Sequence, residues 1–254
     1  QLYPIGDHDR VLSIMQRALG AGFATLVVTV DTATVGKREA EARNGLGMPV
    51  RLTPARCLDL LRHPRWLAGY LRHRCLYPAL YSEPVLTPPA RVMQTDLRWE
   101  DIAWIKENWP GRIYIKGLLR AEDARIAIDE IGASGVILSN HGGRQLGSTI
   151  AALDVVSQVR RVVGERGEIL LDGGIRRGAD IAKALCLGAD AVLIGRPALY
   201  GLAVGGEAGV RRVIDILADE LRVALILLGC PTVRALSCDY LAASNSAPCI
   251  KDRP

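Results

Sequence analysis

Five short runs of apolar, mostly β-branched residues recur along the chain, and helical patterns separate them. Each run is nearly continuous in Val, Ile and Leu, which is typical of strands buried on both faces. The runs are FATLVVTV at 23–30, RIYIKG at 112–117, SGVILS at 134–139, EILLD at 168–172 and ADAVLIG at 189–195. The helical patterns lie at 9–21, 99–108, 121–131, 153–163, 178–187 and 208–228. This alternation predicts a parallel sheet with helical crossovers.

Polar or glycine-rich residues end or directly follow each of these runs, where the chain leaves the predicted strand. They include Asp31, Lys116, His141, Asp172 and Arg196. In a (β/α)8 barrel, or TIM barrel, the chemistry sits at the carboxyl ends of the strands. A doubly wound open sheet binds ligands only near its switch point. Polar residues after all five runs therefore favour the barrel.

The number of strands does not match the length of the chain. The 254 residues would suffice for a whole eight-stranded barrel, yet five strands are clear. Residues 44–98 contain no predicted strand, and we assign 46–98 to an inserted segment. Residues 1–3 are predicted to be the tip of one more strand. We therefore expect 1–254 to be a single partial barrel domain, with the missing strands N-terminal to residue 1.

Composition narrows the function. The net charge of +5 and the pI of about 9.0 suit an anionic substrate, an anionic cofactor or an acidic membrane surface. Aromatic residues are only 5% and no basic-aromatic motif is present, so no nucleic-acid partner is expected. The six cysteines form no CxxC pair and no metal-ligand spacing, and no signal peptide or membrane span is visible. We expect a reduced, cytoplasmic chain without a metal.

Two glycine-rich turns follow the last two predicted strands. DGGIRRGAD at 172–180 opens a helix, whose N-terminus favours an anion, and its Arg176 suits a forked contact to phosphate. GRP at 195–197 repeats the arrangement. A single Gly-Gly pair would indicate only a tight turn. Two such turns in consecutive units, each with an arginine, predict a phosphate site.

The stretch SNHGGRQ at 139–145 follows the third run. Imidazole is suited to accept a proton near pH 7, which makes His141 a candidate base, and Arg144 is suited to a carboxylate. Asp31 is a candidate partner of protonated His141, and Arg38 a candidate second clamp on the same carboxylate. The alternatives are a helix cap at Asp31 and a solvated face around Arg38. Lys116 is either a cation for a cofactor or a surface lysine.

These motifs together resemble the FMN-dependent α-hydroxy-acid dehydrogenase and oxidase family. SNHGGRQ matches a highly specific family signature, and QLY, TVDT…GKRE…RN, IKG, DGGIRRGAD and IGRP match further blocks in the same order. The similarity runs from residue 1 to about 240. HPRW at 63–66 and ALYGLAVGGEAGV at 198–210 are most similar to the mandelate dehydrogenase branch.

The resemblance implies a role for each matching residue. His141 would be the catalytic base and Asp31 the partner of its protonated form, while Arg38 and Arg144 would hold the substrate carboxylate and Tyr3 would touch the substrate. Lys116 would lie beside the flavin ring. The implied FMN-binding residues are Gln1, Thr29, Lys116, Ser139, Asp172, Gly173, Gly174, Ile175, Arg176, Gly195 and Arg196.

The chain departs from the family pattern in two places. Gly147 stands where the family has an Asp that helps to order the loop. The first two barrel strands, most of the third and an active-site tyrosine have no counterpart before Gln1. An eight-stranded barrel does not close with five strands, so whether this chain is a competent enzyme stays open.

The segment 51–81 is unlike the rest of the chain. It carries six arginines by residue 74 against one aspartate, interleaved with Leu, Trp and Tyr. This composition is typical of an interfacial membrane segment, and a membrane-binding insertion at this place is also implied by the mandelate dehydrogenase branch. The alternative is an ordered lid or an oligomer contact.

The sequence thus predicts FMN-dependent oxidation of a mandelate-like or lactate-like (S)-2-hydroxy acid. The electron acceptor is expected to be a quinone or carrier, and the chain a homo-oligomer in the cytoplasm, either free or peripheral on the inner face of the membrane. Two alternatives remain. They are another phosphate-binding barrel enzyme with isomerase-like chemistry, and an inactive fragment that binds flavin.

Overall fold

A computed structural model describes residues 1–4, 7–34, 36–45, 53–73 and 96–242. Contacts between Cα atoms divide the chain into two compact units, residues 1–36 with 93–254, and residues 37–92. The predicted insertion at 46–98 and the basic segment at 51–81 lie partly outside the described residues.

The first unit is built on five parallel strands that neighbour one another in sequence order, β1 to β5. They are β1 (Thr25–Thr29), β2 (Arg112–Leu118), β3 (Gly135–Leu138), β4 (Glu168–Asp172) and β5 (Ala191–Leu193). All five predicted strands are therefore confirmed, with ends that differ by a few residues. The predicted extra strand tip is also present, since Leu2 forms a parallel bridge with Val28.

Nine helices occur among the described residues. They are α1 (His8–Gly20), α2 (Glu39–Arg43), α3 (Pro54–Arg62), α4 (Pro64–His73), α5 (Trp99–Glu107), α6 (Ala121–Arg125), α7 (Ala152–Val163), α8 (Gly178–Cys186) and α9 (Arg196–Leu227). A π-helical turn, Ile126–Glu130, continues α6. Short 3-10 turns are His141–Gly143, Val233–Ala235 and Cys238–Tyr240.

Helix α9 begins twelve residues before the predicted start at 208. Its backbone leaves helical geometry at Gly205 and Gly206, so two helices join there. A Cβ added to Gly201 would meet the Gly209 backbone, and one added to Gly209 would meet Gly201. The two helical parts therefore cross at glycines, which lets their backbones approach closely. The prediction found only the second part.

Alternation along the strands gives the sheet two different faces. The outer face packs on the helices as the main core and is almost fully buried, through residues such as Leu26, Val28, Ile113, Ile115, Val136, Leu138, Ile169 and Leu171. The inner face bears Tyr114 and Lys116 on β2 and, by register, Val27, Ile137 and Leu170 beside them. The functional groups after the strands therefore lie at one end of the inner face.

The cysteines only partly match the prediction of a reduced chain. Cys57, Cys186 and Cys230 are free, and Cys186 is a buried apolar residue as expected. The prediction is wrong for Cys238, which is disulfide-bonded.

In the second unit, α3 and α4 follow each other with only His63 between them. Thr53 caps α3, accepting a hydrogen bond from the Arg56 N–H at 3.4 Å, and Pro54 begins the helix. No residue of α3 is buried. Among the described residues, no helix is long and apolar enough to cross a membrane.

Candidate active site

A buried polar network joins three strands at the carboxyl end of the inner face. Lys116 near the end of β2, Ser139 after β3 and Asp172 at the end of β4 point to the same side of the sheet. Lys116 Nζ donates to Ser139 Oγ at 3.1 Å and lies 2.8 Å from Asp172 Oδ2. Ser139 Oγ in turn donates to Asp172 Oδ2 at 2.9 Å. The surface-lysine alternative for Lys116 is wrong, because the residue is 7% exposed.

The residues of this network differ in how many further hydrogen bonds they can make. Ser139 Oγ donates once and accepts from both Lys116 Nζ and the His141 N–H, so a hydroxyl's single donor and two acceptor positions are all used. An ammonium group has three N–H donors, and Lys116 directs two of them to Ser139 and Asp172 among the described residues. Within the described part of the chain, one buried, charged donor is left that suits a ligand on the inner face.

The first three residues contribute at the neighbouring edge. Leu2 N–H donates to the Val27 carbonyl at 2.7 Å and Thr29 N–H to the Leu2 carbonyl at 2.9 Å. Because Leu2 faces the core, Gln1 and Tyr3 point to the opposite side. Gln1 Nε2 donates to Thr29 Oγ1 at 2.7 Å and to the Tyr3 hydroxyl at 3.1 Å. The predicted residues Gln1, Tyr3 and Thr29 therefore form one group.

The two candidate acid-base residues meet although they are 110 positions apart. His141 Nδ1 lies 3.1 Å from Asp31 Oδ1 and 3.2 Å from Oδ2. Both side chains are mostly buried, at 19% and 13% exposure. The other ring nitrogen, Nε2, makes no hydrogen bond to a described residue. A carboxylate on one ring nitrogen and a free second nitrogen is the arrangement of an oriented general base.

The backbone at His141 is unusual for a residue with a side chain, since its φ is 57°. The loop holds this conformation through the Ser139 contact and through Asn140, whose Oδ1 accepts the Gly143 N–H at 3.2 Å. Gly142 and Gly143 continue with positive φ. The glycines after His141 therefore serve a tight turn that brings the imidazole back over the strand ends.

The helix N-terminus predicted to hold phosphate is already occupied by carboxylates. Asp180 accepts the N–H groups of Arg176 and Arg177 at 3.0 and 2.9 Å. Glu220 on α9 accepts the Gly178 N–H at 2.8 Å and pairs with Arg177, which lowers the pKa of Glu220. The start of α8 therefore has no free N–H at 176–178, and the expectation of an anion on these groups is wrong.

The start of α9, in contrast to that of α8, has open space for an anion. Gly195 precedes α9 without a side-chain cap, and a Cβ there would meet nothing within 4 Å. Gly173 and Gly174 have φ of 102° and 80°, and the space around Gly174 is open. The Arg196 guanidinium donates to the Gly142 carbonyl at 3.1 Å. An anion is therefore better accommodated between these glycines and the start of α9.

The remaining predicted residues lie as follows. The Asp172 carboxylate faces Lys116 and Ser139, so a phosphate contact from this turn falls to the residues after it. Ile175 is buried, and the Arg176 guanidinium lies 5.9 Å from the ring centre of Tyr200. Arg144 is exposed, with its N–H 3.3 Å from the His141 carbonyl.

Arg38 lies in the second unit, where its guanidinium is 3.7 Å from Glu41. The predicted pairing of Arg38 with Arg144 around one carboxylate stays a prediction.

Comparisons with known proteins identify the family. A family described as FMN-dependent dehydrogenase matches residues 1–243. The chain belongs to this family. The (S)-mandelate dehydrogenase of Pseudomonas putida is 41% identical, over 98% of this chain and 65% of that protein. The L-lactate oxidase of Nostoc sp. is 40% identical, over 95% of this chain and 63% of that protein.

Solved structures give the same result. A crystal structure of the monotopic membrane protein (S)-mandelate dehydrogenase has 40% sequence identity and a TM-score of 0.86, over 94% of this chain and 65% of that one. The predicted fold class, a (β/α)8 barrel of the FMN-dependent type, is confirmed, with five of its strands described here. The chain spans less than two thirds of the length of these relatives.

The cofactor of this family is FMN, and the residues present fit it. The spare buried donor of Lys116 suits a ring that becomes electron-rich, and the open glycine turns with Arg176 and Arg196 suit a phosphate. Ser139 fits less directly, because its hydroxyl has no capacity left, so its side chain serves to position Lys116 and the His141 loop.

Sequence reasoning missed several residues that shape the site. Gln145 is in the signature, but its contacts to the chain after β1 depend on the fold. Gly117 makes room for Asp31, since a Cβ at Gly117 would lie 2.7 Å from Asp31 Cβ. The only sequence signal for the role of Gly117 was its position directly after Lys116 in a predicted strand. Nothing in the sequence connects Glu220 with Gly178.

Proposed function

We propose that this chain oxidises an (S)-2-hydroxy acid, mandelate-like or lactate-like, to the 2-oxo acid with FMN. The observation that carries the proposal is the His141–Asp31 pair beside the buried Lys116 network, with no described residue hydrogen-bonded to His141 Nε2. The substrate loses two electrons and two protons in this reaction. When bound, FMN supplies the two-electron acceptor.

In this proposal, His141 Nε2 takes a proton from the substrate. The imidazolium that forms gains stability from the Asp31 carboxylate 3.1 Å from Nδ1. Asp31 also fixes the ring orientation, so Nε2 faces the reacting atoms. The same two residues serve whether the proton comes from the hydroxyl or from C2.

The substrate is anionic, and we assign its carboxylate to Arg144, whose guanidinium group suits a two-point contact. The second clamp expected from the sequence, Arg38, stays a prediction. Tyr3 is assigned to the substrate hydroxyl side. Its hydroxyl already accepts from Gln1 Nε2, which leaves its own proton free to be donated. The two family members compared above, which act on mandelate and lactate by name, support a small 2-hydroxy acid.

For the cofactor, we assign Gln1, Thr29 and Lys116 to the ring side. Gly173, Gly174, Arg176, Gly195 and Arg196 are assigned to the phosphate. The hydroxyl of Ser139 and the carboxylate of Asp172 hold Lys116 in place.

The test is a flavin spectrum of the purified chain after incubation with FMN, followed by (S)-mandelate or (S)-lactate without oxygen. Bleaching of the flavin absorbance supports the proposal. His141→Asn should retain the flavin but slow bleaching by about 1000-fold, the scale of general base catalysis. His63→Asn, an exposed histidine of the second unit, is the control.

Other outcomes support the alternatives. Bound flavin that no 2-hydroxy acid bleaches would favour isomerase-like chemistry, and failure to bind flavin would favour a non-enzymatic fragment. Full-rate bleaching by His141→Asn would remove His141 from the role of base.

We also propose that α3 and α4 bind a membrane surface. Leu58, Leu61, Trp66 and Leu71 are each more than half exposed, and arginines are interspersed among them. The monotopic membrane protein compared above supports this assignment. At a membrane surface, a quinone or carrier is the electron acceptor that we propose. We also propose that the chain forms a homo-oligomer.

A further inference from the structure

Gln145 joins the chain after β3 to the chain after β1. Its Nε2 donates to the Asp31 carbonyl and to the Thr34 carbonyl, both at 2.9 Å. Its Oε1 accepts the Gly36 N–H at 3.3 Å. Both amide donors and one acceptor position are therefore used on three backbone groups of one short segment.

The backbone supports the same contact independently. A Cβ added to Gly36 would overlap the Arg144 carbonyl and would lie 2.8 Å from Gln145 Cα. Only glycine fits this approach, because any side chain would separate the two segments. Asp31, Thr34 and Gly36 are therefore fastened to residues 144–145 through both side-chain and backbone contacts.

Asp31 depends on this contact more than His141 does. The last sheet hydrogen bond before it runs from the Val30 N–H to the Lys116 carbonyl at 2.9 Å. His141, in contrast, is tied to its own strand end through Ser139. Gln145 binds the carbonyl of Asp31 and not its carboxylate, so both carboxylate oxygens remain available to His141.

We propose that Gln145 is a positioning residue that holds the Asp31 carboxylate against His141. This inference rests on the proposed function, in which His141 is the base. Without the two N–H donors of Gln145, the loop that carries Asp31 loses two of its hydrogen bonds to the His141 loop. The distance that joins Nδ1 to the carboxylate then varies, and the imidazole loses its fixed orientation.

The test compares Gln145→Met with Gln158→Met, the same change at an exposed position of α7. Gln145→Met should lower kcat by about 10- to 100-fold, as expected when a reacting group is misplaced. KM and the Kd for FMN should stay as in the unmodified chain. The isotope effect from deuterium at C2 should grow, because the chemical step becomes slower. Gln158→Met should change none of these.

A double-mutant cycle separates positioning from general destabilisation. In the Asp31→Asn background, Gln145→Met should cost little more, because the residue acts through Asp31. A loss of the same size in both backgrounds contradicts the proposal. A loss of activity that arises from a higher KM or from weaker FMN binding also contradicts the proposal.

Two readouts need no turnover and keep the proposal testable if the unmodified chain does not reduce flavin. Hydrogen exchange at the Gly36 amide should become faster in Gln145→Met, and the ¹⁵N signals of the His141 ring should change. Unchanged values for both would overturn the inference. Absence of flavin reduction in the unmodified chain would instead count against the proposed function alone.

Discussion

At the scale of single residues, Asp31 is confined from two directions. Gln145 holds its carbonyl, and Gly117 leaves the space behind its side chain. Gly117 has a φ of 109°, at the point where the register between β2 and β3 shifts. The glycine therefore serves both a local irregularity of the sheet and the close approach of the carboxylate.

Gly117→Ala should lower both stability and activity. A positive φ costs a residue with a Cβ about 1–3 kcal/mol, and the new Cβ would also displace Asp31. Gly22→Ala is the matched control, since Gly22 has a φ of 86° but nothing within 4 Å of an added Cβ. Thermal unfolding should show a loss in both variants, whereas flavin reduction by substrate should slow only in Gly117→Ala. Equal rates in the two variants would contradict the steric role.

Much of the residue scale was predictable. His141 meets Asp31, and Lys116 meets Asp172, at the strand ends where the parallel sheet was expected to bring them. The hydrogen bonds by which a side chain of one loop holds the backbone of another could not be predicted, as for Gln145 with the Asp31 carbonyl. The sequence also could not predict that Ser139 Oγ has no hydrogen-bonding position left, because this depends on three partners that the fold brings together.

At the scale of elements, the strands were predictable because each is a short Val-, Ile- and Leu-rich run bounded by polar residues. The break in α9 was missed, since Gly205 and Gly206 lie within an apolar stretch without helical spacing before them. The occupation of the α8 N-terminus was missed as well, because Glu220 comes from a different helix.

Binding of the FMN phosphate should therefore depend on residues at the start of α9. Arg196→Ala should weaken FMN binding about tenfold or more, the scale of one hydrogen bond to a charged group, while riboflavin binding should change little. Arg211→Ala, an exposed position further along α9, is the control. Flavin fluorescence titrations give both affinities. An equal loss for FMN and riboflavin would place Arg196 away from the phosphate.

The amino ends of the strands carry a separate cluster. Tyr114 on β2 donates its hydroxyl to Glu168 at the start of β4, and Arg112 Nη2 lies 2.7 Å from the same carboxylate. Burial raises the pKa of Tyr114 to about 12, and the hydrogen bond to Glu168 is the second contribution to this rise. The hydrogen bonds from Tyr114 and Arg112 lower the pKa of Glu168. This end of a barrel typically serves stability.

Glu168→Gln should reduce stability in a pH-dependent way. A carboxyl with a lowered pKa in the folded state stabilises the fold above its unfolded pKa, and this contribution is lost as the pH falls through the folded pKa. The difference in melting temperature between the unmodified chain and the variant should be positive at pH 7 and should shrink below about pH 4. Glu165→Gln controls for the loss of one negative charge. A difference independent of pH would contradict the ion-pair explanation.

At the scale of the whole molecule, the sheet separates stability from function. Its outer face is fully engaged with the helices in one core. Its inner face bears the polar network of Lys116, Ser139 and Asp172 at one end and the Tyr114–Glu168 cluster at the other. Because parallel strands all end on the same side, residues from widely separated stretches of sequence meet at the candidate site.

The second unit completes the molecule with a different surface chemistry. In α3 and α4, Leu61, Trp66 and Leu71 are 67%, 58% and 61% exposed, and Arg62 and Arg72 belong to the same two helices. Exposed apolar side chains favour insertion at the acyl boundary, and arginines favour anionic headgroups. These two features together predict that α3 and α4 bind at a membrane surface.

The chain should therefore sediment with vesicles that contain phosphatidylglycerol and much less with vesicles of phosphatidylcholine alone. Raising the salt concentration should weaken the first interaction in part, because screening affects the arginines but not the apolar insertion. Leu61→Glu with Trp66→Glu should abolish sedimentation, whereas Leu227→Glu, an 81% exposed position of α9 in the first unit, should not. Loss of binding in both cases would indicate a general effect of added negative charge. Retention by the double variant would show that α3 and α4 do not form the membrane surface, and the exposed leucines there would then fit the lid or oligomer contact that the sequence also allowed.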